Sequence, residues 1–214
     1  MILHPALRRF LPAAAHLLSA TTSASLTAAA LANGPAAQGA PLAMDTARVT
    51  IAGTSNIHEY TAWTDTVRVT RAKLTAPIAP DAFWADIVKP GALESFEVAV
   101  PARTLSSPKA GLDKNMHKAL KVEANPDITF RLLRLDPAAN GLQAFGVLRI
   151  AGVEREVSFP MQTERRGAGL AIKGALPLLM TDYGIKPPVA MLGMLKTDPK
   201  VTVTFEAVLS VPRT

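Results

Sequence analysis

Apolar and polar residues alternate one by one through most of the chain after residue 46. The last such run is the clearest, because Val201, Val203 and Phe205 alternate with Thr202 and Thr204. A period of two is the pattern of β-strands that bury one face and expose the other. Eight runs of this kind predict eight strands, whose first marked apolar positions are residues 49, 63, 96, 128, 142, 153, 170 and 201.

Short links between these runs predict how the strands are arranged. Only Ala151 and Gly152 separate the fifth run from the sixth, and residues 164–169 separate the sixth from the seventh. Links this short force neighbouring strands to be antiparallel. No second apolar set requires a second sheet, and closure removes both exposed sheet edges. We therefore predict an all-β fold, an eight-stranded antiparallel β-barrel.

Two segments interrupt the strand pattern. The first predicts a short helix that ends before Asn125 and Pro126, since its apolar residues fall on one helical face: Leu112, Met116, Ala119 and Leu120. The second, residues 178–197, is apolar, rich in methionine and broken by proline. We expect both segments to cover one end of the barrel.

The N-terminal segment has the composition of a secretory signal peptide. Arg8 and Arg9 are followed by an uncharged stretch from Phe10 to Leu31, and small residues flank Leu31. The sequence predicts a signal peptide at 1–32, a flexible lead-in at 33–46, the barrel domain at 47–214, and export to the periplasm or the medium. Removing residues 1–32 lowers the net charge from +6 to +4 and leaves no stable membrane anchor.

The remaining composition argues against several kinds of chemistry. The chain has no cysteine, and after export it would keep two histidines, His58 and His117, too few for an ordinary catalytic metal site. Neither a GxSxG serine elbow nor a glycine-rich phosphate loop occurs. The basic residues form no run, and aromatic residues do not alternate with them. We expect no metal or other cofactor, no catalytic residue and no nucleic-acid partner.

The barrel interior is open to two interpretations. Eight strands enclose space that is either filled by side chains or wide enough for one small ligand. Small inward residues such as Gly146 and Gly174 fit both cases, while Met180, Met191 and Met194 favour a flexible apolar guest.

Several stretches resemble the YceI family of lipocalin-like, polyisoprenoid-binding proteins. They are GTSNIHEYTAW at 53–63, GLDKNMHKALKVEANPDITF at 111–130, GVLRIAGVEREVSFPM at 146–161 and TDYGIKPPVAMLGMLKTDPKVTVTF at 181–205. The resemblance implies a lipocalin-like barrel with a helix at its mouth, a lumen for an isoprenoid or amphiphilic lipid, and a secreted or periplasmic location. GTSNIHEY replaces the His-x-Gly-x-Ser-like stretch of the best-described branch, so it indicates a sub-branch whose ligand is left open.

Our first hypothesis is a non-enzymatic carrier of an amphiphilic small molecule with a polyprenyl or acyl chain, either of which could carry a quinone-like head. Its oligomeric state, monomer or homodimer, stays open. We expect the lumen to be lined by Trp63, Phe96, Phe130, Leu148, Phe159 and Phe205. We expect the mouth to be closed by Met116, Leu120, Met180, Met191 and Met194.

Two rival hypotheses make different structural predictions. A small enzyme would bring His58, Tyr60 and Asp182 together in one cleft. A filled barrel that binds protein partners through its loops would expose an apolar patch, either at Phe83 and Trp84 or in the methionine-rich loop. We read His117, which lies among lysines, as a solvated helix residue or as a contact for an anionic headgroup.

Overall fold

A single antiparallel sheet makes up most of the structure. The structure, a computed structural model, describes residues 42–190 and 194–211. The strands in this part are β1 (Ala43–Ser55), β2 (Glu59–Thr64), β3 (Arg68–Leu74), β4 (Leu93–Pro101), β5 (Asp127–Ala138), β6 (Gly141–Ile150), β7 (Val153–Arg166), β8 (Gly169–Leu179), β9 (Val189–Ala190) and β10 (Leu195–Ser210). Hydrogen bonds join them in the order β2-β1-β10-β8-β7-β6-β5-β4-β3, and β9 pairs with β10.

The two ends of this sheet are consecutive pieces of chain, and this closes the barrel. β2 pairs with β1, β3 pairs with β4, and only residues 65–67 separate β2 from β3. Counted as one bent strand, β2 and β3 give the eight-stranded antiparallel barrel that the alternation predicted, with β9 as an added short strand. Trp63 and Ser106 exchange backbone hydrogen bonds of 2.8 and 2.9 Å, so the segment after β4 covers the open edge of β2.

Strand register keeps apolar residues on the inner face. Val49 of β1 lies opposite Phe205 of β10, and Ile51 lies opposite Val203. The predicted turn at Ala151 and Gly152 is present, and both residues have positive φ (50° and 85°), as a type I′ two-residue hairpin requires.

Two α-helices, α1 (Phe83–Asp86) and α2 (Ala110–Leu120), accompany the sheet in the described residues. The predicted apolar face of α2 is confirmed, since Leu120 is buried and Met116 and Ala119 pack against the core. The helix ends at Leu120, before Asn125 and Pro126, as predicted. Lys121 takes a left-handed conformation (φ 54°), and its backbone N–H caps the last turn. No helix in the described ranges is both long and apolar enough to cross a membrane.

The start of β1 corrects one predicted boundary. β1 begins at Ala43, so residues 43–46 are part of a strand although we expected them to end the flexible lead-in. Leu42, just before the strand, is only 2% exposed and packs with Trp84 and Ile87. The rest of the lead-in and the predicted signal peptide lie outside the described residues.

Candidate ligand-binding lumen

The inside of the barrel contains two adjoining apolar chambers. The upper chamber, of about 200 Å³, lies toward α1, and the lower chamber, of about 190 Å³, lies toward α2. Five side chains line both: Val49, Val100, Ile128, Leu148 and Val203. An engineered apolar cavity of about 150 Å³ stays dry and binds benzene, so each chamber has room for part of an apolar ligand.

Three phenylalanines form a continuous cluster in the upper chamber. The ring centroids of Phe130 and Phe159 are 5.5 Å apart, and those of Phe159 and Phe205 are 5.4 Å apart. Two glycines make this packing feasible. A Cβ atom at Gly146 would overlap the Phe130 ring, and one at Gly174 would lie 2.6 Å from Phe205. These small inward residues therefore hold aromatic rings and do not create the empty space.

Helix α1 closes the upper end of the barrel. Trp84 is 8% exposed, and its indole N–H donates a 2.9 Å hydrogen bond to the carbonyl of Ala168 in the β7–β8 turn. The Arg165 guanidinium lies 5.7 Å from the centre of the Trp84 ring. The exposed Phe83–Trp84 patch expected for a protein-interaction module is therefore wrong, because Trp84 is packed into the core.

Helix α2 covers the lower chamber with the face that the sequence predicted, namely Leu112, Met116, Ala119 and Leu120. His117 lies on another side of this helix. Its Nε2 atom is 2.8 Å from the carbonyl oxygen of Leu105. His117 thus ties α2 to the segment that covers β2, and it lines neither chamber. His117 is half-buried and lines an outer crevice beside Lys114 and Lys118, so its contact with an anionic headgroup stays a prediction.

Among the described residues, four polar side chains line the lower chamber: the phenols Tyr60 and Tyr183, together with Asn115 and Thr197. Tyr183, in the short 3₁₀ turn Met180–Tyr183, is 2% exposed, and its hydroxyl has no hydrogen-bond partner. Tyr60 lies opposite Gly53, with its hydroxyl over the glycine. Burial raises the pKa of both phenols, because the ionised form would lose water; Asp198 adds to the effect at Tyr60, and Asp182 at Tyr183.

Most of the predicted ligand-binding residues do line the lumen. Phe96, Phe130, Phe159 and Phe205 line the upper chamber, Met116, Leu120 and Met180 line the lower one, and Leu148 lines both. Met194 is 65% exposed and lines neither chamber, which is a correction. Met191 lies outside the described residues.

Trp63 also needs a correction, because it does not face the lumen. Register pairs Ala62 with Ile51 and Thr64 with Val49, and both Ala62 and Thr64 are buried. Trp63 therefore lies on the opposite face of β2. We predicted that the run beginning at Trp63 is one strand with Trp63 facing the lumen, but the break at residues 65–67 resets the alternation.

Several lining residues were missed by the sequence reasoning. Leu42 and Met44 alternate like strand residues, a signal that the glycine- and proline-rich lead-in obscured. Trp84 and Ile87 come from a connection whose sequence showed no period that would place it over the barrel end. Because Ala62 and Thr64 face inward, the alternation along β2 also places Tyr60 on the inner face.

The three residues of the rival enzyme hypothesis do not share a chamber. Tyr60 lines the lower chamber, whereas Asp182 lines a crevice outside it. His58 is exposed in the turn between β1 and β2, where its backbone N–H donates to the Ser55 hydroxyl. Within the described ranges, no three His, Asp or Glu side chains are grouped as a metal site would require.

Comparisons with known proteins agree on one family. The sequence model of the YceI-like domain matches residues 43–209. No curated protein matches the chain.

Solved structures that match share the fold at low identity. BcnA from Burkholderia cenocepacia is 14% identical with a TM-score of 0.59, covering 76% of this chain and 95% of its own. A polyisoprenoid binding domain from Saccharophagus degradans is 13% identical with a TM-score of 0.59, and the match covers 81% of this chain and 99% of that domain. A YceI protein from Campylobacter jejuni is 11% identical with a TM-score of 0.50, and the match covers 70% of this chain and 85% of that protein.

Proposed function

Because the chain belongs to the YceI family, and because its barrel encloses two apolar chambers, we propose that it binds and carries an amphiphilic lipid or isoprenoid in the lumen. It does this without catalysing a reaction. The observation that carries the proposal is the interior itself: two adjoining chambers walled by aliphatic and aromatic side chains. The polyisoprenoid binding described for the Saccharophagus degradans domain supports a prenyl chain as the guest.

The dimensions of the lumen suit an extended chain. Leu209 lines the upper chamber and Val201, eight residues earlier on β10, lines the lower one. At about 3.3 Å per residue and a strand tilt of about 40°, this separation is roughly 20 Å along the barrel axis. A linear prenyl or acyl chain fits this shape better than a compact ring system.

The energetics favour a ligand that fills both chambers. Each buried CH₂ contributes about 0.8 kcal/mol, so ten of them contribute about 8 kcal/mol. Association itself costs an estimated 4–15 kcal/mol. Occupation of one chamber would therefore barely offset that cost. We expect affinity to rise steeply with chain length until the lumen is full.

The proposed location is the bacterial cell envelope, either the periplasm or the exterior. Support comes from the signal-like composition of residues 1–32. Expression of a full-length fusion to a reporter that is active only outside the cytoplasm tests this. A full-length fusion without reporter activity would contradict this location, and deletion of residues 1–32 should abolish the activity.

Native mass spectrometry tests the ligand. The protein is purified from its own cells without detergent, weighed intact and then extracted with organic solvent. The expected result is a discrete added mass that extracts as an isoprenoid or acyl lipid. A bare protein mass, together with no uptake of prenyl quinones or fatty acids, would refute the carrier function and favour a filled barrel.

Tryptophan fluorescence gives an independent binding measurement. The chain has two tryptophans, Trp84 in the upper chamber and Trp63 outside the lumen. In a Trp63→Phe variant, Trp84 is the single reporter, and a chain that enters the upper chamber should change its emission. In the matched Trp84→Phe variant, Trp63 should not respond to the same ligand.

A further inference from the structure

The three most exposed large apolar side chains of the described residues come from segments that meet at the lower end of the barrel. Ile57, Val189 and Met194 are 59%, 61% and 65% exposed. Ile57 lies in the turn between β1 and β2, Val189 begins β9, and Met194 directly precedes β10. We call these three residues the apolar rim.

Hydrogen bonds hold the segments of the apolar rim together. The Asn56 side chain donates from Nδ2 to the carbonyl oxygen of Met194 and accepts at Oδ1 from the backbone N–H of Lys196, both at 2.8 Å. Lys196 in turn pairs with Val189 across β9 and β10. Exposed apolar side chains that the fold holds in one place mark a contact surface, whereas scattered single ones do not.

The apolar rim lies beside the wall of the lower chamber. Pro188, which precedes Val189, and Thr197, at the start of β10, both line that chamber. Helix α2 covers the same chamber with its apolar face, so α2 and the rim belong to one end of the barrel.

The outer face of α2 is basic. Lys114 and Lys118 each lie two residues from Met116, which places them about 200° around the helix from this chamber-lining residue. Both lysines are exposed. Three further charged side chains line the outer crevice beside them: Lys121, Arg103 and the Arg103 ion-pair partner Glu123. Among the described residues, neither Lys114, Lys118 nor Lys121 forms an ion pair.

The apolar rim itself is close to neutral. Lys186 and Lys196 lie near it in the sequence, and so do the acids Glu59 and Asp198. This end of the barrel therefore combines a neutral apolar part with a separate basic part. An apolar insertion together with a basic patch is the combination that binds a protein to the surface of a membrane with anionic lipid.

The size of the rim favours a membrane over a protein partner. Three side chains exposed by about 60% supply roughly 300 Å² of surface, whereas a stable protein interface buries about 800 Å² on each partner. A bilayer needs no matching surface, because the side chains enter between lipid headgroups and the lysines meet mobile phosphates.

We infer that the lower end of the barrel docks on a membrane containing anionic lipid, with the apolar rim inserted between headgroups and Lys114, Lys118 and Lys121 bound to lipid phosphates. Docking goes beyond the proposed carrier function and names its partner. Transfer of the guest rests on the carrier function: a docked barrel would hold its lower chamber against the bilayer, so an apolar chain could pass between them with little exposure to water.

Co-sedimentation with vesicles tests docking. The protein, purified from its own cells, is mixed with vesicles of phosphatidylcholine alone or with one-third phosphatidylglycerol. We expect binding to the anionic vesicles and its loss at high salt. Lys118→Gln should weaken binding about fivefold, the effect of one lysine near an anionic surface, and Met194→Ser about tenfold through the lost apolar burial. The matched controls Lys173→Gln and Leu133→Ser, both exposed residues elsewhere on the barrel, should bind like the wild type.

A fluorophore at the rim separates insertion from attraction by charge alone. The chain has no cysteine, so Ile57→Cys and the control Leu133→Cys can each be labelled at one site with an environment-sensitive dye. Anionic vesicles should shift the emission of the dye at residue 57 to the blue and leave the dye at residue 133 unchanged. A vesicle-bound protein without a shift at residue 57 would overturn the insertion of the rim.

The remaining outcomes separate docking from the carrier function. No sedimentation with anionic vesicles, in a protein that carries lipid by native mass spectrometry, would refute docking and leave the carrier function intact. Sedimentation with the expected variant effects, in a protein that neither carries nor takes up lipid, would support docking and refute the carrier function. A blue shift at residue 57 that grows with protein concentration in the absence of vesicles would assign the rim to a second copy of this chain and overturn the membrane as its partner.

Discussion

Replacement of Gly146 by alanine gives the sharpest test of how the lumen is built. Gly146 faces inward on β6, where a Cβ would overlap the Phe130 ring and lie 2.6 Å from the backbone carbonyl oxygen of Arg131. The ring could turn toward the upper chamber. The carbonyl belongs to the paired strand β5 and cannot move without disturbing the ladder. We therefore expect Gly146→Ala to destabilise the barrel.

Two opposing effects determine how much Gly146→Ala changes the free energy of unfolding. Overpacking a well-packed site costs about 1–3 kcal/mol. Replacing glycine where φ is compatible with alanine returns about 0.4–1 kcal/mol by restricting the unfolded chain. The net loss is about 1–2 kcal/mol. For a domain of this size 1 kcal/mol shifts the melting temperature by about 2–4 °C, so we expect a fall of roughly 2–8 °C.

Thermal unfolding of ligand-free protein, followed by circular dichroism, measures this effect. Gly111→Ala is the matched control, because a Cβ at Gly111 in α2 would meet nothing within 4 Å. That substitution should raise the melting temperature, since alanine favours the helix by about 1 kcal/mol. If Gly146→Ala melts at or above the wild-type temperature, the tight packing of Phe130 against this glycine is refuted.

Three further predictions concern the lumen and the response to pH. Leu148→Trp, which adds a large side chain where the chambers meet, should reduce lipid uptake in a folded protein; unchanged native-mass loading would contradict this. Burial raises the pKa of Tyr60 and Tyr183 in the folded protein above the value in the unfolded chain, so the free energy of unfolding should fall above about pH 10. Tyr60→Phe and Tyr183→Phe variants should lose less stability over that pH range. The wild-type protein should lose stability below about pH 3.8, because Arg48 lowers the pKa of Asp65 in the folded protein. In Arg48→Ala this acid-induced decrease in the free energy of unfolding should be smaller.

The barrel could be predicted from local pattern, because each strand shows its buried face in its own sequence. Val201, Val203 and Phe205 are inside because their neighbours Thr202 and Thr204 are polar, and the turn at Ala151 and Gly152 allows only an antiparallel hairpin. The same reasoning placed most of the lumen residues correctly, from Phe96 to Phe205.

The sequence pattern failed where a strand is interrupted. Alternation assigns parity only within an unbroken strand, so the break at residues 65–67 placed Trp63 on the wrong face and hid Tyr60. Helix α1 has four residues, too few for a helical period to emerge, and its Trp84 reaches the core only because the long connection folds back over the barrel end.

Only the tertiary structure decided what the lumen contains. The sequence by itself determined the closed antiparallel barrel and its apolar interior, since both follow from the period of two. The size of the chambers depends on how rings from different strands meet, as Phe130 does with Gly146. The unpaired Tyr183 hydroxyl depends on what surrounds it after folding. Packing and hydrogen-bond satisfaction arise between residues distant in the chain, and no local pattern contains them.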